Sequence, residues 1–164
     1  MKNILIPSDF SLQSLACIED LVHKFRSEQL NIVFVHVFLL SNSVVDLMLL
    51  SRRRKEYSYI SDEFWSNCKR LESRYWQQIN SIKVDCFYGS TVAVFKNYLE
   101  SHKIDLIVYP QQYHFQQLSK ESFDPAKLIA KSGKEVLILQ KEKKQKPISP
   151  YAWVKNMTYQ WSLN

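Results

Sequence analysis

Short apolar runs separated by amphipathic stretches constrain the fold of this chain most. The clearest run is Asn31 to Phe38, "NIVFVHVF", which is rich in β-branched and aromatic residues and has almost no polar face. Similar runs are Ile4 to Ile6, Ile104 to Tyr109 and Val136 to Leu139. A strand without a polar face is typical of a sheet covered on both sides. The sequence therefore predicts strands of a covered, parallel sheet.

Helical periodicity lies between these runs. Ser11 is expected to cap a first helix with apolar positions Leu15, Ile18, Val22 and Phe25. A longer helix is predicted from apolar positions that recur at helical spacing, namely Ile60, Phe64, Cys68, Leu71, Tyr75 and Ile79. Two shorter helices are expected around Val92 to Leu99 and Pro125 to Lys131, and Ile82 to Tyr88 alternates as an edge strand does.

Five strands alternating with helices predict an α/β fold. Parallel βαβ units with right-handed crossovers build a three-layer α/β/α sandwich, doubly wound and Rossmann-like. We expect one domain over residues 1–140 and a basic, then aromatic, tail over residues 141–164 that is ordered against the domain or a dimer mate. The stretch from Ser41 to Lys55 fits either a helix or an extended chain, and both readings stay open.

Composition narrows the class of protein. The chain has 164 residues, 46% of them apolar and 23% charged, which is typical of a globular protein. No apolar run approaches the roughly 20 residues that span a bilayer, so a cytoplasmic protein is expected. The three cysteines have spacings that suit neither a disulfide framework nor a zinc site, and they are interpreted as buried thiols: Cys17, Cys68 and Cys86.

The end of the first strand is the candidate ligand site. Pro7, Ser8 and Asp9 follow the apolar run directly, and ligands of doubly wound sheets bind at the carboxyl ends of central strands. Asp9 could accept hydrogen bonds from a sugar or amine, or simply cap the following helix. Catalytic motifs such as G-x-S-x-G or H-E-x-x-H do not occur, so no enzyme is predicted. A general base formed by His36 and His114 is conceivable, but a satisfied interior His36 is favoured.

Five segments in order resemble the universal stress protein family across Lys2 to Gln140. They are "ILIPSDFS", "VFVHV", Gly89-Ser90 before a helix, "IDLIVY" and "AKLIAKSGKEVLIL". The resemblance implies an adenine nucleotide alpha hydrolase-like sandwich with strand order 3-2-1-4-5. It also implies a homodimer through the last strand, Val136, Leu137, Ile138 and Leu139, which we expect the aromatic tail residues to extend: Tyr151, Trp153, Tyr159 and Trp161.

The resemblance stops at the loop after the fourth strand. Members that bind ATP carry G-x-x-G there, followed downstream by G-S or G-T, and these glycines let the backbone close around phosphates. Here the loop begins Tyr109-Pro110-Gln111-Gln112-Tyr113, the later pair falls near Ser122-Phe123, and the chain's two glycines are Gly89 and Gly133. Pro110 donates no amide, and we expect Tyr113 and Phe123 to occupy phosphate space. Tight binding of MgATP is therefore not expected.

Three functions remain open. The first is a non-catalytic homodimeric module that acts in stress response or signalling through protein partners. The second is a sensor of AMP, ATP or another metabolite at a vestigial adenosine pocket, which the resemblance places at Pro7, Ser8, Asp9, Val35, His36, Tyr109 and Gln112. The third is an RNA or anion binder, because the net charge of +6 includes the run Arg52 to Lys55. We rank them in this order.

Overall fold

The computed structural model describes residues 1–39, 56–110 and 115–139. The predicted tail over residues 141–164 and the stretch from Ser41 to Lys55 lie outside these residues. The elements are β1 Lys2–Pro7, a 3-10 helix Leu12–Ala16, α1 Cys17–Lys24, β2 Leu30–Phe38, α2 Asp62–Arg74, β3 Ile79–Tyr88, α3 Val92–Ser101, β4 Leu106–Pro110, α4 Ala126–Ala130 and β5 Glu135–Leu139. Strands and helices therefore alternate as predicted.

The five strands form one parallel sheet of order β3-β2-β1-β4-β5. β1 lies at its centre, with Ile4 opposite Ile32 of β2 on one side and Leu106 of β4 on the other. β3 and β5 are the outer strands of this sheet. The predicted strand order and the predicted edge position of β3 are both confirmed.

Two hydrophobic clusters lie on opposite faces of the sheet. Ile4 and Ile6 point into a cluster with α1 and α2, whereas Leu5, between them, points into a cluster with α3 and α4. All three side chains are at most 1% exposed, which explains why β1 has no polar position in this run. The molecule is therefore the three-layer α/β/α sandwich that the sequence predicted.

The first predicted helix begins differently from the expectation. The chain forms a 3-10 helix before α1, and the Ser11 side chain accepts no capping hydrogen bond. Instead, the Asp9 carboxylate accepts a hydrogen bond of 3.0 Å from the Ser11 amide. The prediction that Ser11 caps this helix is wrong because Asp9 already holds the turn two residues earlier, and Phe25 lies just beyond the end of α1.

The second predicted helix is shorter than its apolar periodicity indicated. α2 ends at Arg74, and the chain reverses through a turn in which the amide of Ile79 donates to the carbonyl of Tyr75 at 2.7 Å. Ile79 is the first residue of β3, opposite Leu30 of β2. Its assignment to the helix is therefore wrong: the turn happens to continue the helical spacing, and pairing with β2 decides the conformation.

The cysteines confirm their predicted burial. All three are buried and none is joined in a disulfide. Burial is the main cause that raises the pKa of each thiol to about 12, so these groups stay protonated and poorly reactive. In the described part of the chain, none of the helices has the length and apolar character needed to cross a membrane.

Candidate functional site

Ser8 directly follows β1, lies beside β2 and is fully buried. Its amide donates to the carbonyl of Val35 at 3.0 Å, so this Val35 oxygen already has a partner within the chain. The Ser14 hydroxyl donates to the Ser11 carbonyl at 2.7 Å, which leaves Ser8 to donate to Ser14 Oγ at 2.8 Å. Ser8 Oγ in turn accepts from the Phe10 amide at 2.9 Å. The backbone amide and the hydroxyl of Ser8 are thus hydrogen-bonded to other groups of the chain.

Phe10 closes the turn after Asp9 in an unusual conformation. Its φ of 57° is left-handed, a region that residues other than glycine rarely adopt. The ring is buried and packs 5.8 Å from the His36 ring and 5.9 Å from the Phe64 ring, measured between centroids. Packing therefore compensates the backbone strain and places an aromatic ring directly beside the candidate site.

His36 lies beneath this turn and is 1% exposed. Its Nδ1 lies 2.7 Å from the Ser8 carbonyl oxygen, which only accepts, so Nδ1 carries the hydrogen. Nε2 is then the acceptor, and the Ser122 hydroxyl donates to it at 2.9 Å. Burial lowers the pKa of His36, opposed by the Ser8 hydrogen bond and the Asp9 charge. The preferred prediction, a satisfied interior histidine, is confirmed; His114 lies outside the described residues.

Residues 118–123, downstream of β4, lie against the end of β2. The Phe123 amide donates to the Val37 carbonyl at 2.8 Å, and the Leu39 amide donates to the Glu121 carbonyl at 2.7 Å. Between them, Ser122 Oγ accepts from the amides of Leu118 and Ser119, each at 3.0 Å. The segment is therefore fastened to β2 by its backbone and to His36 by a side chain.

Of the remaining predicted site residues, the structure describes Pro7, Val35 and Tyr109. Val35 is buried, and Tyr109 lies near the carboxyl end of β4 with a pKa raised by burial and, less strongly, by Asp124. Phe123 packs against the hydrophobic cluster that contains α3 and α4, an inward placement that the sequence did not anticipate. Gln112 and Tyr113 lie outside the described residues. Pro7 ends β1, next to Ser8.

Ser122 is a hydrogen-bond partner of His36 that sequence reasoning missed. Its hydroxyl and the His36 ring form a serine–histidine pair, but both are buried and the other ring nitrogen faces a carbonyl instead of a carboxylate. An inaccessible hydroxyl that already accepts two amide hydrogens is a poor nucleophile. The two residues are 86 positions apart, and no local motif links them. Within residues 1–39, 56–110 and 115–139, no cluster of metal-ligating side chains is present either.

Comparison with solved structures identifies the fold class. The chain superposes on the crystal structure of the hypothetical protein PH0823 with a TM-score of 0.54 and 17% identity, over 87% of this chain and 98% of that one. The universal stress protein UspA from Lactobacillus plantarum gives a TM-score of 0.54 and 18% identity, over 85% and 97%. The protein is thus an α/β sandwich with the universal stress protein fold. No family model and no curated protein matches its sequence.

Proposed function

We propose that this protein is a non-catalytic member of the universal stress protein family that does not bind ATP tightly and acts as a homodimer through protein partners. The observation that carries the proposal is that the His36 ring is hydrogen-bonded and packed within the chain. Both ring nitrogens are bonded within the chain, and the Phe115 ring stacks on the imidazole at 5.6 Å with an interplanar angle of 14°. A nucleotide at this position would have to displace protein groups that already satisfy one another.

The segment after β4 supports the same conclusion. A phosphate-binding loop keeps several backbone amides free and pointing at one anion. Here the amides of Leu118, Ser119 and Phe123 all donate to acceptors of the chain itself. These three amides are therefore not available to a triphosphate, and the sequence has no glycine between Tyr109 and Asp124.

Titration calorimetry of the full chain with MgATP tests the proposal. We expect no saturation below about 1 mM nucleotide, which corresponds to a binding free energy weaker than about 4 kcal/mol. Asp9→Asn is the companion variant, because Asp9 lies at the strand end where the family holds adenosine. A micromolar dissociation constant that weakens in Asp9→Asn would overturn the proposal in favour of a nucleotide sensor.

The exposed outer strand supports the dimer. β5 is an outer strand of the sheet, and its Val136 and Ile138 side chains are 37% and 59% exposed, whereas Leu137 packs on the core. An exposed strand edge with apolar side chains favours pairing with another chain. A second copy would cover this edge, and the two-fold arrangement would leave the remaining faces for other proteins.

A further inference from the structure

A groove lies on the outer side of the sheet, along β3 and α3. It has a volume of about 620 Å³, within the range of small-molecule pockets. Its walls include Tyr57, Phe87, Tyr98, Asp85, Asn97 and His102. These residues are distinct from the His36 site, and the proposed function makes no use of them.

The wall formed by α3 and β3 is aromatic. The rings of Phe87 and Tyr98 pack with centroids 5.0 Å apart. Tyr57, which precedes α2 and is 42% exposed, also lines the groove. Aromatic faces carry negative charge density and attract organic cations more strongly than neutral molecules of the same shape. The apolar part of the groove therefore already discriminates by charge.

Asp85 supplies a formal negative charge to the same groove. Its Oδ2 accepts from the Tyr98 hydroxyl at 2.8 Å and its Oδ1 from the Cys86 amide at 2.8 Å, but a third of the side chain stays exposed. The carboxylate is thus held in place and still open to a ligand. Its charge adds to burial in raising the pKa of Tyr98 and of Cys86.

His102 is a basic neighbour of this carboxylate and forms an ion pair with it only when its ring is protonated. His102 Nε2 lies 3.6 Å from Asp85 Oδ2, too far for a hydrogen bond, while Nδ1 lies 2.9 Å from the Tyr98 carbonyl. A cation entering the groove would therefore meet the Asp85 carboxylate, which a neutral His102 leaves uncompensated.

We propose that this groove binds a small organic cation, an aromatic ring joined to a primary ammonium group. The ring would pack against Tyr57 and Tyr98, and the ammonium would donate to the open side of the Asp85 carboxylate. Anionic ligands are disfavoured by the same carboxylate charge. The site would give the protein a ligand-dependent state that does not involve His36.

Three probes that share one ring separate charge from shape. They are phenethylammonium, 2-phenylethanol and 3-phenylpropionate, titrated into the full chain at about pH 8, where a histidine side chain is ordinarily uncharged. We expect saturable binding of the ammonium at least about tenfold tighter than that of the alcohol, and no binding of the carboxylate. Equal binding of all three probes, or no saturation by the ammonium up to about 10 mM, would overturn the proposal.

Matched variants assign any binding to the groove. Asp85→Asn should weaken ammonium binding at least about tenfold, since the amide carries no charge. Glu100→Gln makes the same charge change on an exposed position of α3 outside the groove and should leave binding unchanged. Val94→Trp keeps the charge and fills the groove, so it should abolish binding even if Asp85→Asn folds poorly. Unaltered affinity in Val94→Trp contradicts the assignment.

Discussion

At the residue scale, His36 shows how a polar side chain can serve the core of the sandwich. It is buried among the Phe10, Phe38 and Phe115 rings, and its two hydrogen bonds fix the neutral tautomer. Protonation would add a hydrogen at Nε2, which would then repel the Ser122 hydroxyl hydrogen in its present orientation. Burial accordingly lowers the pKa of His36 below its ordinary value.

This shift makes stability depend on pH with a definite sign. Below about pH 6.5 the unfolded chain binds a proton at His36 that the folded chain resists, so the free energy of unfolding falls as pH decreases. The slope from this single group is at most about 1.4 kcal/mol per pH unit. Urea denaturation at about pH 7.5 and pH 5.5 should show a steeper loss in the parent chain than in His36→Gln.

The exposed His23 provides the control for this experiment. His23→Gln removes the same chemical group from the surface of α1, so its pH dependence should match that of the parent chain. If His36→Gln keeps the full slope, the pH dependence arises elsewhere and the interpretation of His36 is wrong.

At the scale of elements, the turn from β3 into α3 requires glycine. Gly89 has a φ of 155°, and its amide donates to the Phe38 carbonyl at 2.9 Å. A Cβ atom there would lie 3.0 Å from Phe87 Cζ and 3.3 Å from Val94 Cγ1. α3 begins just after this turn, where the Thr91 hydroxyl accepts from the Val94 amide at 3.4 Å.

Gly89→Ala should therefore destabilise the fold by about 1–3 kcal/mol, because both the backbone angle and the contact are unfavourable. Gly133→Ala is the matched substitution: its φ is 76°, but a Cβ atom would have no neighbour within 4 Å. We expect it to cost only about 1 kcal/mol, so its midpoint of denaturation should lie above that of Gly89→Ala. Equal midpoints would show that the contacts around Gly89 carry no energy.

At the scale of the whole molecule, the two outer strands differ. β3 is ten residues long and borders the groove beside α3, whereas β5 has five residues and exposes Ile138. The proposed dimer therefore uses β5, and the groove along β3 remains accessible in it. Binding of an organic cation and dimerisation should be independent of each other.

Ile138→Lys tests the dimer edge. A charge at the centre of the proposed interface should convert a particle of twice 19.5 kDa into one of 19.5 kDa in light scattering, since edge lysines oppose strand pairing. Leu12→Lys changes an exposed apolar side chain outside β5 and should leave the mass unchanged. A parent chain that is already monomeric, or an Ile138→Lys dimer, contradicts the proposal.

Sequence reasoning succeeded where structure follows from local pattern. The continuous apolar run around Ile4 predicts a strand covered on both faces, since alternate residues such as Ile4 and Leu5 enter opposite clusters. It failed at Ile79, which fits the helical spacing but begins β3. It also failed at Ser11, where the Asp9 carboxylate accepts from the Ser11 amide and holds the turn.

The amino-acid sequence by itself determined the class of this protein: buried parallel strands, amphipathic helices and, by the pattern of motifs, the universal stress protein fold. Only the tertiary structure decided what occupies the strand ends and the outer groove. Ser122 meets His36, and Asp85 meets Tyr98 and His102, because the crossovers of the sheet bring distant segments together. Hydrophobic periodicity predicts which residues of an element face the core, whereas the partner of a polar side chain depends on the path of the whole chain.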